Sequence, residues 1–289
     1  MIKLIATDMD GTLLGDEREV TIENAKAVKE AQTQGVTVIV ATGRDELEAR
    51  LPLKQADISC PVISVNGAVT CNEHGEVLSS FPLSKQKARA IFDILVSENV
   101  YFELYTNKGA FTNHYELGIQ TVIDVLISAG TDDSMDKMRL IAEERYTSGA
   151  IQLVDSYESL LGDDDVIVTK ILAFSQNEMN RERARQKLRE HEDLAISASA
   201  ADNIEITHVQ AQKGLAVKAW ATQHGIDMNE VMVIGDSFND ISMFEIAKYR
   251  IAMGNAEPEI KDLSSFITKR NDEDGVALAI RKMLAETNQ

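Results

Sequence analysis

Two carboxylates stand one residue apart near the start of the chain. Asp8 and Asp10 follow an apolar run over residues 2–6, and Gly11 then permits a turn. A short apolar run bounded by a turn predicts a buried central strand, and such sheets bind their ligands at the carboxyl ends of the strands. Two crowded acidic groups repel each other and lose hydration, so the pair predicts a bound cation. It also suits phosphoryl transfer, with one carboxylate as nucleophile and the other as proton shuttle, although a turn with two solvated aspartates explains the same residues.

A second set of polar groups follows the next predicted strand. Residues 36–41 are apolar and end at Thr42, Gly43 and Arg44, ahead of a predicted helix. A hydroxyl, a flexible backbone and a guanidinium at one strand end suit a phosphate group. Taken singly, Thr42 is more simply explained as a helix N-cap and Arg44 as a solvated helix residue.

Further candidates follow later strands and one helix start. Residues 61–65 predict a third strand, which ends at Asn66. Lys213 opens a predicted helix, where the helix dipole disfavours a cation, so it either faces an anion or is an exposed lysine that tolerates a small cost. Residues 231–234 predict a fourth buried strand. The polar side chains that follow it are Asp236, Ser237, Asn239 and Asp240.

Composition limits the class of protein. The chain has 289 residues, of which 44% are hydrophobic, enough for one large domain or two ordinary ones. Its 47 acidic and 29 basic residues give a net charge of -18, so neither nucleic acid nor an anionic membrane surface is an expected partner. The sequence shows no stretch of membrane-spanning length and no signal peptide. We therefore expect a cytoplasmic protein in which Cys60 and Cys71 are free thiols.

The pattern along the chain predicts two domains. Strands and helices alternate at both ends of the chain, which indicates parallel βαβ units, whereas the middle contains adjacent strands with no helix between them. We expect an α/β core from residues 1–83 and 209–289, with an α+β domain inserted at 84–208. The acidic cluster at residues 162–165 of the insert, a glycine followed by three aspartates, is better explained as a solvated loop than as a metal site. The elements predicted in the insert are helices at 84–98 and 178–190, a helical region extending to about residue 146, and strands at 100–105, 109–113, 165–174, 194–198 and 203–207.

In this order, the motifs resemble those of the haloacid dehalogenase superfamily, and specifically its Cof-type phosphatases. The resemblance covers the whole chain and implies a Rossmann-like core with a parallel sheet, plus an α+β cap inserted after the third strand. The motifs are Asp8-Met9-Asp10-Gly11-Thr12-Leu13, Thr42-Gly43-Arg44, Asn66-Gly67-Ala68, Lys213-Gly214, Gly235-Asp236-Ser237-Phe238-Asn239-Asp240, Met253-Gly254-Asn255-Ala256 and Asp274-Gly275-Val276.

The resemblance implies a role for each matching residue. Asp8 matches the nucleophile that forms an aspartyl-phosphate, and Asp10 matches the general acid and base. Magnesium is implied as cofactor, held by the Asp8 carboxylate, the Asp10 backbone carbonyl and Asp236, with Asp240 in support. The residues implied in phosphate or substrate binding are Thr42, Gly43, Arg44, Asn66, Lys213 and Asn239.

We therefore predict a magnesium-dependent phosphatase of small phosphorylated metabolites, such as sugar phosphates. Relatives of this type act on sugar phosphates, on pyridoxal phosphate and on a phosphorylated riboflavin precursor. Two alternatives remain open from the sequence: a phosphomutase, and a non-catalytic sugar-phosphate sensor, for which the retained nucleophile has no use. We also predict that the cap is a hinged lid, whose two connections near Pro82–Leu83 and Val209–Gln212 absorb the opening motion.

Overall fold

The computed structural model describes residues 1–128 and 131–287. The chain forms two compact units, one from Met1–Phe81 with Gln210–Gln289 and one from Pro82–Val209. The first contains an eight-stranded sheet and the second a six-stranded sheet. The α/β class is confirmed. Among the described residues, no helix has the length and apolar character needed to span a bilayer.

The first segment of the larger unit alternates strands and helices and then ends in a hairpin. Its elements are β1 (Leu4–Thr7), α1 (Ile22–Thr33), β2 (Thr37–Ala41), α2 (Glu46–Gln55), β3 (Val62–Ser64), β4 (Val69–Cys71) and β5 (Val77–Ser80). The strands β1, β2 and β3 are parallel neighbours, as the alternating pattern predicts. Thr21 caps α1, because its hydroxyl accepts a hydrogen bond from the Asn24 amide at 3.2 Å.

The predicted parallel sheet is extended at one edge by the hairpin of β4 and β5, which makes the complete sheet mixed. Both β4 and β5 run antiparallel to their neighbours. The cause lies in Val65, Asn66 and Gly67, which all have positive φ. They reverse the chain directly after β3, in a space too short for a crossover helix, so the next strand has to pair antiparallel. The sequence prediction missed this hairpin because neither strand is longer than four residues.

The smaller unit, Pro82–Val209, is α+β. Its elements are α3 (Lys85–Ser97), β6 (Tyr101–Thr106), β7 (Gly109–Thr112), α4 (Tyr115–Ser128), α5 (Met135–Thr147), β8 (Gln152–Leu153), α6 (Tyr157–Leu161), β9 (Val168–Phe174), α7 (Glu178–Arg189), β10 (Leu194–Ser197) and β11 (Asn203–His208). Its sheet has the order β10-β11-β9-β6-β7-β8, antiparallel except where β8 pairs parallel with β7. The short elements β8 and α6 were not predicted, and the predicted helical region contains both α4 and α5.

The two faces of this smaller sheet differ in chemistry. Phe102 and Leu104 of β6 lie in the apolar cluster that the helices α3 and α7 cover. Glu103 lies between them and therefore points to the opposite face. It is fully buried there, and Arg145 of α5 donates to its two carboxylate oxygens at 2.9 Å each. The acidic loop at 162–165 is tied down by an ion pair between Asp163 and Lys108, at 2.7 Å.

The chain then returns to the larger unit. This segment contributes α8 (Lys213–Gln223), β12 (Val231–Gly235), α9 (Ile241–Phe244), β13 (Tyr249–Ala252), α10 (Pro258–Leu263), β14 (Phe266–Ile267) and α11 (Gly275–Thr287). The full sheet order is β14-β13-β12-β1-β2-β3-β4-β5, and β12, β13 and β14 are parallel to β1. Strands are thus added first on one side of β1 and then on the other. The carboxyl ends of strands next to such a reversal form the usual ligand-binding crevice of an open α/β sheet.

Candidate active site

Three carboxylates gather at this crevice. Asp8, Asp236 and Asp240 place carboxylate oxygens within 4.8 Å of one another. Sheet register brings them together, because Thr7 at the end of β1 is paired with Ile234 near the end of β12. The Asp8 amide extends this pairing by donating to the Ile234 carbonyl at 2.9 Å. The sequence placed each residue after a strand, and the parallel register makes them neighbours.

The turn after Asp8 passes very close to Asp236. Gly11 has a φ of +72°, and a Cβ on it would lie 2.5 Å from Asp236 Oδ2, so only glycine fits. The hydroxyl of Thr12 donates to Asp236 Oδ1 at 2.7 Å. The side-chain amide of Asn255 donates to the Gly11 carbonyl at 2.8 Å. We infer that these contacts hold the loop that carries the two predicted catalytic aspartates.

Lys213 lies inside the carboxylate cluster, where its side chain is fully buried. Its Nζ donates to Asp8 and to Asp240, each at 2.7 Å, and to Asn239 Oδ1 at 3.2 Å. Burial by itself would lower the pKa of Lys213, but the carboxylates of Asp240 and Asp8 raise it above its usual value. The ammonium form is therefore retained. The unfavourable dipole at the start of α8 is offset by these two anions, and an exposed lysine is ruled out.

Asp240 has a different set of contacts from the other two acids. Its Oδ1 accepts from Lys213, and its Oδ2 accepts from the backbone amides of Asp236 at 2.9 Å and Ser237 at 3.1 Å. Both oxygens are thus engaged in holding the loop after β12 and the lysine. We therefore expect Asp240 to support the site through these contacts more than to bind a cation directly.

The electrostatics of the cluster suit a divalent cation. Burial raises the pKa of Asp8 well above its usual range; Lys213 opposes this shift, whereas Asp240 and Asp236 add to it. Burial, with help from Asp240, raises the pKa of Asp236 to about 7. One ammonium therefore does not compensate two buried carboxylates and a third that is partly buried. Oxygen donors of this kind are what Mg²⁺ prefers, so the residues present fit the ion that the sequence resemblance implies.

The loops after β2 and β3 are joined by hydrogen bonds around Thr42. The buried Thr42 accepts from the Arg44 amide through its hydroxyl at 3.1 Å, and from the Asn66 amide through its carbonyl at 2.9 Å. Thr42 is not a helix N-cap, because Asp45 has that function for α2. Asn66 also accepts from the side chain of Asn239 at 3.3 Å. The proposed phosphate-binding residues from three strand ends therefore lie side by side, with Gly43 half-buried among them.

Asp10 lies apart from the carboxylate cluster. Its side chain is 54% exposed and accepts two hydrogen bonds from Arg44, at 2.7 Å from Nε and 2.5 Å from Nη2. The backbone explains the separation, because Asp10 has an extended ψ of 128° and Gly11 then turns the chain. The sequence predicted both residues as site residues, but it contained no sign that they would bind each other.

Two asparagines that the sequence reasoning missed support the end of the loop that follows β1. The side chain of Asn24 donates to the Leu13 carbonyl at 3.2 Å and accepts from the Ala277 amide at 2.9 Å. Asn271 donates to the Leu14 carbonyl at 3.1 Å. The sequence did contain a signal for Asn24, because it is a polar residue within the apolar stripe of α1. A polar side chain that is buried there needs hydrogen-bond partners.

The motif order and this geometry agree with comparison to known proteins. The sequence profile of the haloacid dehalogenase-like hydrolases matches residues 5–280. The chain belongs to this family. As a haloacid dehalogenase-like hydrolase it resembles a solved structure of such a hydrolase from Bacillus subtilis, with a TM-score of 0.87 and 34% identity over 97% of this chain and 99% of that one.

Two curated relatives of this hydrolase, both from Bacillus subtilis, are named phosphatases. The 5-amino-6-(5-phospho-D-ribitylamino)uracil phosphatase YwtE is 37% identical over 98% of this chain and 99% of its own length. The phosphatase YwpJ is 35% identical over 98% and 100%. The family and these relatives together make the chain an enzyme of the phosphatase class, which argues against the non-catalytic sensor.

Proposed function

We propose that this hydrolase is a magnesium-dependent phosphatase of small phosphorylated metabolites, with Asp8 as the nucleophile. The observation that supports this proposal most strongly is the buried Lys213 ammonium, which bridges Asp8 and Asp240 beside Asp236. A buried carboxylate at a strand end, next to a cation and further oxygen ligands, has the surroundings that nucleophilic attack on phosphorus requires.

In this mechanism Asp8 attacks phosphorus and forms an aspartyl-phosphate as the alcohol departs. Asp10 gives the leaving oxygen a proton and later takes one from the water that hydrolyses the aspartyl-phosphate. Lys213, Thr42 and Asn239 donate to the phosphoryl oxygens. Magnesium, when bound by Asp8, the Asp10 carbonyl and Asp236, neutralises charge on the phosphoryl group.

For the substrate we propose a sugar-phosphate-like monoester. Two relatives, at 37% and 30% identity, are named for a substrate with a phosphorylated ribityl chain, which is a sugar alcohol phosphate. We propose that the unit Pro82–Val209 is the cap that selects this substrate. A cytoplasmic location remains part of the proposal, and both cysteines are free and buried.

A panel of phosphorylated metabolites, assayed for phosphate release with and without magnesium, tests this proposal. It should contain sugar phosphates, pyridoxal phosphate and 5-amino-6-(5-phospho-D-ribitylamino)uracil. We expect release to stop when the ion is chelated and to return when magnesium is restored. The Asp236→Asn variant should need at least about tenfold more magnesium for half-activation, because one charged ligand is lost.

The matched control for Asp236 is Asp262→Asn, which changes an exposed carboxylate of the same unit. It should keep the wild-type magnesium requirement. Release that survives chelation in the wild-type enzyme would contradict the metal assignment. A reaction that proceeds only with an added sugar bisphosphate would instead identify a phosphomutase.

The role of Asp10 is tested with leaving groups of different acidity. Asp10→Asn keeps the backbone carbonyl but cannot move a proton, so turnover should fall while phosphate mimics still bind. The defect should shrink on p-nitrophenyl phosphate, because p-nitrophenolate departs without protonation. If single-turnover data show phosphoryl transfer to be limiting and both an alkyl phosphate and p-nitrophenyl phosphate lose the same proportion of activity, Asp10 is not the general acid.

A further inference from the structure

Arg44, which forms an ion pair with Asp10, has a backbone fixed by hydrogen bonds and a side chain that reaches the Asp10 carboxylate. The backbone of Arg44 is held at both ends, since its amide donates to the Thr42 hydroxyl at 3.1 Å and its carbonyl accepts from the Val65 amide at 2.8 Å. The guanidinium then donates from Nε and Nη2 to the two oxygens of Asp10. The Arg44 backbone therefore lies in the loop that is proposed to bind phosphate, and its side chain contacts Asp10, the proposed general acid and base.

This pairing is incompatible with the work assigned to Asp10. A bidentate guanidinium occupies the facing lone pairs of both carboxylate oxygens, which are the positions that a proton would use. It also holds Asp10 outside the group formed by Asp8, Asp236 and Asp240. Asp10 therefore has to leave Arg44 before it can reach the oxygen of a departing alcohol.

The surroundings make the pair easy to open. The Asp10 side chain is 54% exposed and that of Arg44 20%, so solvent screens the attraction between them. A phosphate monoester brings more negative charge than one carboxylate, and it presents three acceptor oxygens to the same planar fork. The Arg44 backbone lies beside Thr42, so we expect that rotation of its side chain can bring the guanidinium to a phosphate group bound there.

We propose that Arg44 exchanges partners during the reaction cycle. Before substrate binds, it holds Asp10 in a resting position; when the phosphate dianion arrives, Arg44 transfers to it and releases Asp10. Arg44 is thus a positioning residue for Asp10 and also a substrate ligand. Substrate binding frees Asp10 to take a proton from solvent water, which it then gives to the leaving oxygen. This inference rests on the proposed function, because it assigns the acid and base role to Asp10.

Arginine side-chain NMR of the full-length enzyme with magnesium tests the exchange directly, with inorganic phosphate as the probe. The Nε–H signal of Arg44, assigned by its absence in Arg44→Lys, should move when phosphate saturates the enzyme. Arg281 provides an internal control, because it makes a similar bidentate pair with Glu30, at 2.8 and 3.0 Å, on the surface formed by α1 and α11. Its signal should stay in place.

The Asp10→Asn variant separates exchange from mere proximity of phosphate. Without phosphate, its Arg44 signal should differ from that of the wild type, because the resting carboxylate is gone. With phosphate, the two signals should converge, because Arg44 is then on the same ligand in both proteins. Signals that remain apart in the presence of bound phosphate would show that Asp10 is still the partner and would overturn the proposal.

Kinetics provide an independent readout. For the best alkyl monoester of the panel, Arg44→Met should raise KM about tenfold or more while kcat stays within about threefold, since binding is lost but Asp10 is already released. A fall in kcat with unchanged KM would mean that Arg44 only orients Asp10, and the exchange would be wrong. Arg281→Met should change neither constant. In the NMR experiment, an enzyme that binds no phosphate at all would contradict both the proposed function and the exchange. If phosphate binds and the Arg44 signal does not move, only the exchange is contradicted.

Discussion

Replacing Asp8 by asparagine is expected to abolish phosphate release and to leave the fold intact. The amide is a poor nucleophile and a weak cation ligand, so both contributions of this side chain are lost together. Loss of a nucleophile typically costs more than about a thousandfold in kcat. The substitution keeps the shape of the side chain, removes one of three mutually repelling carboxylates and leaves Lys213 paired with Asp240, so thermal unfolding should change little. Turnover of the best panel substrate and the unfolding midpoint are the two measurements.

The control for this prediction is Asp57→Asn, which alters an exposed carboxylate paired with Lys29 at the surface of the same unit. It should retain full activity. Wild-type turnover by the Asp8 variant would remove the aspartyl-phosphate from the mechanism. An inactive variant that has also unfolded would instead show that Asp8 is needed for the structure, and Asp8→Glu would then have to separate the two effects.

Lys213→Met is expected to damage both catalysis and stability. Loss of a charged donor to the transferring phosphoryl group costs about 2 to 4 kcal/mol, on the order of a hundredfold or more in rate. The structure adds a second effect, because Lys213 is buried between Asp8 and Asp240. Removal of one partner from a buried ion pair leaves an uncompensated charge and costs about 3 to 5 kcal/mol of folding free energy. Denaturant unfolding and kcat/KM measure the two losses separately.

Magnesium should partly restore the stability of this variant, because a divalent cation supplies the missing positive charge. We expect the ion to raise the unfolding midpoint more in Lys213→Met than in the wild type. Lys218→Met is the matched control, since Lys218 lies on the same helix with its side chain exposed. It should behave as wild type in both assays. A rate loss below threefold in Lys213→Met would show that Lys213 contributes little to catalysis.

Much of the site could be predicted from local sequence. Apolar runs that end in polar residues identified the strand ends that carry Asp8, Thr42 and Asp236, because a buried strand has to be apolar until it leaves the sheet. Lys213 stood out because a cation at a helix start needs an anion. Parallel strands between helices also limited the topology, which places all of these strand ends on one edge. These signals depend only on neighbouring residues, so the sequence contains them in full.

Other features depended on which strands are neighbours, and no local pattern contains that information. Thr12 and Asp236 are 224 residues apart, and their hydrogen bond exists because β1 and β12 pair in one register. The bond from Asn255 to the Gly11 carbonyl spans 244 residues and has the same origin. The hairpin of β4 and β5 was missed because its strands are short and because the turn before it needs positive φ at Val65, which a β-branched residue rarely adopts.

The pairing of Asp10 with Arg44 shows most clearly what local sequence predicts and what only the tertiary structure decides. The residue types established that one is an acid that could move a proton and the other a guanidinium that could bind phosphate. Which anion Arg44 binds before substrate arrives depends on the separation between the ends of β1 and β2 and on the turn at Gly11. Only the tertiary structure sets that distance, because the two side chains lie 34 residues apart in the chain and meet through the sheet.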